Sequence, residues 1–317
     1  MSDSELQPEE YPFMQRKIPV SHGVRGFQEL IAQYPDFFFC PYLAHKDKEG
    51  WDKSTSRVYM NRVLPNFLYA PVDILRGEHV EIRAFFDDVR DKRNIVAVNI
   101  TQPHKSNPVL MQEFSTFDGR PTNIDTLIRN KDGVLIPYDL NAPSFMGWYQ
   151  DEVGDFNGKT VVLIGVGGVG EPIARRLAEA RPTNLVLVDP ADKSKLVSQL
   201  QKKTQVTYRS SLSGVALPEN QTAVVVINAA GKEAASDNSG LYEWLQKAAQ
   251  VKGIFIDMRP QLKIDIVQQA NSLGWRGFTG HGMNARNDYI LLEAIARVIG
   301  SNPPTFDKFK ALVAKAS

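Results

Sequence analysis

The chain predicts an α/β fold of two domains, the second a doubly wound parallel sheet. Three observations carry that expectation. At roughly 150 residues per domain, 317 residues are enough for two hydrophobic cores. From Lys159 onward, β-branched apolar runs alternate with helix-like stretches. The first of those runs, Thr160-Val161-Val162-Leu163-Ile164, opens directly into Gly165-Val166-Gly167-Gly168-Val169-Gly170.

In residues 1–149, expected to be a substrate-binding and catalytic α/β domain, the apolar runs are short and broken by Pro, Asn and charge. They include Phe37-Phe38-Phe39, Phe67-Leu68-Tyr69 and Ile95-Val96-Ala97-Val98. Between them, Val80, Ile82, Phe85 and Val89 recur at near-helical intervals and predict a helix over Gly77–Lys92. The acidic, polar segment Gln150–Gly158 reads as an inter-domain hinge. Residues 150–285 follow as a Rossmann-type domain, with further strand runs at Leu185–Val188, Ala223–Ile227 and Gly253–Ile256. The last part, 286–317, holds two amphipathic stretches, Asp288–Gly300 and Thr305–Ala316, expected to return to the first domain.

Composition narrows the function classes. Hydrophobic residues at 43% and charged residues at 23% fit a soluble globular chain. With 37 Lys and Arg against 36 Asp and Glu, no broad basic surface is expected for nucleic acid or an anionic membrane. Cys40 stands alone, which excludes an intrachain disulfide and a Cys-rich zinc site. His104 and His281 lack a second ligand at metal spacing, so no metal is expected and both read as structural. The acidic N-terminus lacks the features of a signal peptide, and no run reaches eighteen apolar residues; a cytoplasmic protein, monomeric or homodimeric, is the expectation.

The glycine motif predicts a dinucleotide site. Gly165 permits the tight turn, Gly167 lets the backbone approach a pyrophosphate, and Gly170 lets the helix pack on the strand, with Gly168 and Val169 between them. The next strand run ends at Asp189, 24 residues after Gly165, where a carboxylate accepts ribose hydroxyls and repels a 2′-phosphate. NAD is therefore expected, with Lys193 and Lys195 leaving NADP as the less favoured alternative. Asn228 and Ala229, small residues closing another strand, and Gly280 complete the expected cofactor contacts.

In the first domain, an apolar strand leads into Asn99-Ile100-Thr101-Gln102-Pro103-His104-Lys105. This segment resembles the N-V-T-x-P-H-K motif of the shikimate and quinate dehydrogenases. Ser54-Thr55-Ser56 resembles that family's S-x-S segment, although Arg57 and Met60 replace its proline and histidine. Asn123-Ile124-Asp125-Thr126-Leu127 resembles its A-V-N-T-L region, Asp139-Leu140-Asn141 its N-T-D segment, and Gly282-Met283-Asn284-Ala285-Arg286-Asn287 its G-M-L-x-x-Q segment. The resemblance runs from about residue 54 to the end and leaves residues 1–50 without a counterpart. Those residues offer a first strand around Phe37–Leu43, a lid or an oligomer contact.

The resemblance implies a substrate site in a cleft between the two domains and a cyclic hydroxy acid of shikimate or quinate type as substrate. Lys105 handles the hydroxyl proton, Ser54 and Ser56 bind the substrate carboxylate, and Thr101, Asp139 and Asn287 contact the substrate. Two positions depart from the family in opposite senses. Asp125 stands where the family has an amide, and Asn141 stands where it has its catalytic aspartate. The expectation is that Asp125 has become the partner of Lys105, with Asp139 as the other source of a carboxylate. An acid at position 125 also admits an aminated analogue of the substrate. Two further readings stay open: a folate-type dehydrogenase, opposed by the Ser54/Ser56 pair, and a non-catalytic NAD and metabolite sensor, favoured by Asn141 and opposed by Lys105. Asp288 is expected to cap a helix.

Overall fold

The computed structural model describes residues 20–45, 60–61, 63–75, 77–101, 104–105, 107–114, 123–216, 224–230, 239–251, 253–259 and 264–314. The chain forms two units, Met1–Leu140 with Asp288–Ser317, and Asn141–Asn287.

The first unit is built on β1 (Ser21–His22), β2 (Phe38–Ala44), β3 (Phe67–Asp73), β4 (Ala97–Ile100), β5 (Thr126–Arg129) and β6 (Leu135–Tyr138), in the order β1-β3-β2-β4-β5-β6. The first four strands in that order run parallel, and β5 and β6 each add antiparallel. The strand expected around Phe37–Leu43 is β2, and it lies inside the sheet. β2 is almost wholly apolar because both faces are covered. On one face, Leu43, Leu68 and Val98 meet Phe27 of α1 (Gly23–Gln33) and Phe85 and Val89 of α2 (His79–Asp91). On the other, Tyr42, Tyr69 and Val96 meet Leu291, Leu292 and Ile295 from the C-terminal stretch. Val80, read as part of the apolar stripe of α2, points outward and is 83% exposed, because the buried stripe begins at Ile82. A short helix, α3 (Pro108–Glu113), is capped by the side chain of Asn107.

The second unit carries β7 (Thr160–Ile164), β8 (Asn184–Val188), β9 (Val206–Arg209), β10 (Val224–Asn228), β11 (Ile254–Asp257) and β12 (Arg276–Thr279), all parallel, in the order β12-β11-β10-β7-β8-β9. The winding reverses between β7 and β10, which opens a crevice at the carboxyl ends of those strands. Alternation along β7 explains its continuous apolar run. Val161 and Leu163 face the core shared with Phe145, Ile173 and Leu177, whereas Val162 faces the one shared with Leu245, Phe255 and Ile266.

The segment read as a hinge begins as packed structure. Helix α4 (Asn141–Glu152) runs into it, and Phe156 stacks on Tyr149 with ring centroids 3.9 Å apart. The chain crosses between units at 140/141 because Ala142, Phe145, Trp148 and Tyr149 join the core of the second. In that unit, α5 (Gly170–Ala180), α6 (Ser194–Leu200), α7 (Ser239–Lys247) and α8 (Asp265–Ser272) alternate with the strands; α9 (His281–Val298) and α10 (Phe306–Ala314) end the chain. Asp288 lies inside α9 and is fully buried, so it is not the N-cap of that helix, which starts seven residues earlier, at His281. Among the described residues no helix is long and apolar enough to cross a membrane, and no group of three His, Cys, Asp or Glu is arranged to hold a metal.

Candidate active site

Strand β4 sets the polar end of the first unit. Asn99 accepts from the Tyr69 hydroxyl at 3.0 Å and donates to the Asp125 carbonyl at 3.2 Å, so the β4 and β5 termini are tied together. Just beyond β4, the Thr101 amide donates to the Leu43 carbonyl, and the Thr101 hydroxyl has no hydrogen-bond partner among the described residues. The loop then turns back on His104, whose Nε2 lies 2.9 Å from the Ile74 carbonyl. That side chain is buried, and its desolvation lowers the imidazole pKa below the usual histidine value. His104 therefore anchors the loop, and Lys105 is displayed beside it.

Lys105 Nζ lies 3.8 Å from Asp125 Oδ2, and the two side chains are only 13% and 4% exposed. The other Asp125 oxygen accepts from the Leu140 amide at 3.0 Å. This bond fixes the carboxylate against the segment that carries Asp139 and leads into α4 at Asn141. A desolvated lysine beside a clamped carboxylate is a suitable device for holding a hydroxyl and passing its proton. Ser54 and Ser56 lie outside the described residues.

In the second unit the glycine loop has the shape that a pyrophosphate needs. Gly165 adopts φ +82°, and a Cβ there would stand 2.6 Å from the Ala230 backbone. A Cβ on Gly170 would stand 1.9 Å from the Gly165 carbonyl, whereas one on Gly167 would meet nothing within 4 Å. The chain is thus tight where α5 packs and open where a ligand approaches, and the N-terminus of α5 faces the opening through Gly168 and Val169. Asp189 closes the far side. Its Oδ2 accepts from the Val166 amide at 2.7 Å and its Oδ1 from the Ala191 amide at 2.9 Å, and each oxygen retains acceptor capacity. Lys193 Nζ sits 3.8 Å from the same carboxylate. These features fit a dinucleotide.

The sequence reading missed a group at the end of β11. Asp257, 1% exposed, accepts from Arg259 Nε at 2.8 Å and Nη2 at 2.9 Å, from the Arg259 amide at 3.0 Å, and from Asn228 Nδ2 at 2.9 Å. The carboxylate raises the Arg259 pKa further. Asn228, expected to touch the cofactor, spends its side chain here: its Oδ1 accepts from the Ala230 amide at 3.3 Å. Ala229 lies against Gly170, and the Gly280 amide donates to the Arg259 carbonyl at 2.9 Å. The signal was an apolar strand ending in an acid with a basic residue two positions on, Ile256-Asp257-Met258-Arg259. Asn287, on α9, is 7% exposed, and its amide has no hydrogen-bond partner among the described residues.

No family model matches the chain. The shikimate dehydrogenase (NADP+) of Carboxydothermus hydrogenoformans is 26% identical over 135 residues, 41% of this chain and 45% of that protein. The enzyme of the same name from Geobacillus sp. strain WCH70 is 31% identical over 105 residues, 32% of this chain and 38% of that protein. The chain thus spans less than half the length of these two curated relatives. Among solved structures, the shikimate 5-dehydrogenase of Listeria monocytogenes, in complex with shikimate and NAD, superposes with a TM-score of 0.65 at 17% identity, over 87% of this chain and 96% of that one. The quinate dehydrogenase of Corynebacterium glutamicum, in complex with NAD, gives a TM-score of 0.65 at 15% identity, over 88% and 99%. At these identities the structural likeness shows the fold.

Proposed function

We propose that the chain is a shikimate dehydrogenase-like, nicotinamide-dependent oxidoreductase that interconverts a secondary alcohol and a ketone on a shikimate- or quinate-like cyclic hydroxy acid. The observation that carries this reading is the ion pair of Lys105 and Asp125, both nearly buried at the end of β4 and β5. In the oxidising direction the carbinol carbon loses a hydride and the hydroxyl loses a proton. The bound nicotinamide ring supplies the hydride acceptor. Lys105 holds the hydroxyl oxygen and conducts its proton away, and Asp125, fixed by the Leu140 amide, orients the ammonium. Thr101, Asp139, Asn141 and Asn287 supply further polar contacts to the substrate, and the serine hydroxyls of Ser54 and Ser56 take its carboxylate.

Asp189 supports NAD as the cofactor. Its carboxylate suits two ribose hydroxyls and disfavours a 2′-phosphate, and the Lys193 contact only partly offsets that charge. The test is reduced-nicotinamide absorbance with NAD and a panel of cyclic hydroxy acids. A Lys105→Met enzyme is expected to lose about 10²–10⁴ in turnover, and Asp125→Asn at least tenfold. Wild-type turnover in Asp125→Asn, or silence across the panel from protein that binds NAD, overturns the reading.

A further inference from the structure

The end of β10 supports the glycine loop from below. Asn228 is in register with Ile164 of β7, the residue before Gly165, and with Asp257 of β11. Gly165 turns so close to the next residues that a Cβ there would stand 2.6 Å from the Ala230 amide nitrogen, and a Cβ on Gly170 would stand 3.6 Å from the Ala229 Cβ. Backbone bonds hold part of this contact. The Ala229 amide donates to the Ile164 carbonyl at 2.7 Å, and the Asn228 carbonyl accepts from the Met258 amide at 2.9 Å. The Ala230 amide is met by a side chain instead, donating to Asn228 Oδ1 at 3.3 Å.

That oxygen faces Ala230 because the other end of the amide is already committed. Asp257 is 1% exposed and takes two guanidinium donors of Arg259 and the Arg259 backbone amide. An ionised carboxylate accepts and never donates, so the group of Asn228 that meets it at 2.9 Å is the NH2. Oδ1 is thereby left for Ala230. The acid on β11 thus sets the orientation of an amide on β10, and the amide fixes the backbone against which the β7 loop turns. A pyrophosphate reads that loop through its backbone, so the loop must keep one shape.

We propose that Asn228, oriented by Asp257, is a positioning residue for the dinucleotide: it holds the Ala229–Ala230 backbone against Gly165 and keeps the glycine loop in the shape that receives a pyrophosphate. This rests on the nicotinamide-dependent reading, and it gives the buried Asp257–Arg259 pair a role within the second unit.

The polarity of the contact separates this role from packing. Asn228→Ala leaves the Ala230 amide without an acceptor. Asn228→Asp sets one carboxylate against another. Asp257→Asn offers an amide to an amide, so that either Ala230 or Arg259 loses its partner. The double exchange, Asn228→Asp with Asp257→Asn, reverses the polarity and satisfies every group: the new carboxylate accepts from Ala230 and from the new amide, whose oxygen faces Arg259.

The experiment is calorimetric titration of wild type and these four variants with NAD, well below the thermal midpoint of each, with the midpoints recorded alongside. Each single exchange is expected to weaken NAD binding about tenfold, and the double exchange to return to within about threefold of wild type. Single variants that bind NAD as wild type does overturn the proposal whatever their midpoints, because the cluster then serves stability alone. A double exchange that binds no better than Asn228→Asp overturns it too. If a charged variant does not fold, the uncharged Asn228→Ala decides, and wild-type NAD affinity in that protein overturns the proposal. Where wild type binds NAD and the variants do so equally, the dehydrogenase reading stands and the role of Asn228 falls. If wild type binds neither NAD nor NADP, both fall.

Discussion

His104 and Lys105 are neighbours in the chain with opposite environments. The histidine is buried against the Ile74 carbonyl, and the lysine is turned to a carboxylate. Burial lowers the folded-state pKa of His104, with the nearby His45 acting in the same direction and Asp73 against it. The unfolded chain therefore takes up this proton first on acidification, near the ordinary value of about 6.5. Stability is lost as pH falls below that value and is fully present above it. A His104→Gln protein retains a donor for the Ile74 carbonyl and cannot titrate. Its unfolding free energy is expected to fall less steeply than wild type between pH 7 and 5, by at most about 1.4 kcal/mol per pH unit, which thermal midpoints across that range report. Parallel midpoint curves for the two proteins would refute this. At this scale the sequence is readable where a motif sets a spacing, as with Lys105 and the glycines of the β7 loop. It is silent where partners come from distant strands. Nothing in the order of residues says that Asn228 meets Asp257, because parallel strand neighbours are joined only through a long crossover.

Elements are tied together by groups whose types give no hint of the role. Arg129 ends β5 and is 4% exposed, and every hydrogen bond it makes among the described residues goes to a backbone carbonyl. Nε reaches Ile95 at 2.9 Å, Nη1 reaches Gly133 at 2.7 Å, and Nη2 reaches both Val89 and Lys92. One side chain thus closes the C-terminal end of α2, the approach to β4 and the β5–β6 hairpin. In sequence it is indistinguishable from a solvated strand-end charge. Replacement by Met fills the space and leaves buried carbonyls without donors, at about 1–3 kcal/mol for each one that water does not reach. Arg129→Met is expected to lose roughly 3 kcal/mol in chemical denaturation while NAD affinity, a property of the other unit, stays as in wild type. A loss below about 1 kcal/mol would show that water replaces the guanidinium. Element type was more legible than such ties. The β7, β8, β10 and β11 runs were all visible as β-branched blocks, since a strand covered on both faces has no polar alternation to obscure it.

For the whole molecule, periodicity specifies a buried face but never its partner. Helix α9 shows this most clearly, giving Met283 to the core of the second unit and Leu291, Leu292 and Ile295 to that of the first. That helix is continuous through the change of unit at Asn287/Asp288, whereas the amphipathic stretch read in the sequence begins only at Asp288, and the polar sequence of Gln150–Gly158 suggested a hinge where Phe156 is stacked on Tyr149. The two units have separate cores, so ligand linkage can be asked of each. The glycine loop, the α5 N-terminus and Asp189 all belong to the second, and a dinucleotide that binds only the folded form raises its stability by RT ln(1 + [L]/Kd), about 2.7 kcal/mol at a hundredfold excess over Kd. In scanning calorimetry NAD is expected to raise the midpoint of at least one transition by several degrees. NADP at equal concentration is expected to do so less, because its 2′-phosphate meets the Asp189 carboxylate. Exchanging Asp189 for Asn removes that repulsion and keeps an acceptor for only one of the Val166 and Ala191 amides, the other then facing an NH2 group, so it should narrow the gap between the two cofactors at some cost in stability. If NADP stabilises wild type more than NAD does, Lys193 governs the pocket and the assignment of Asp189 as the discriminating group is wrong.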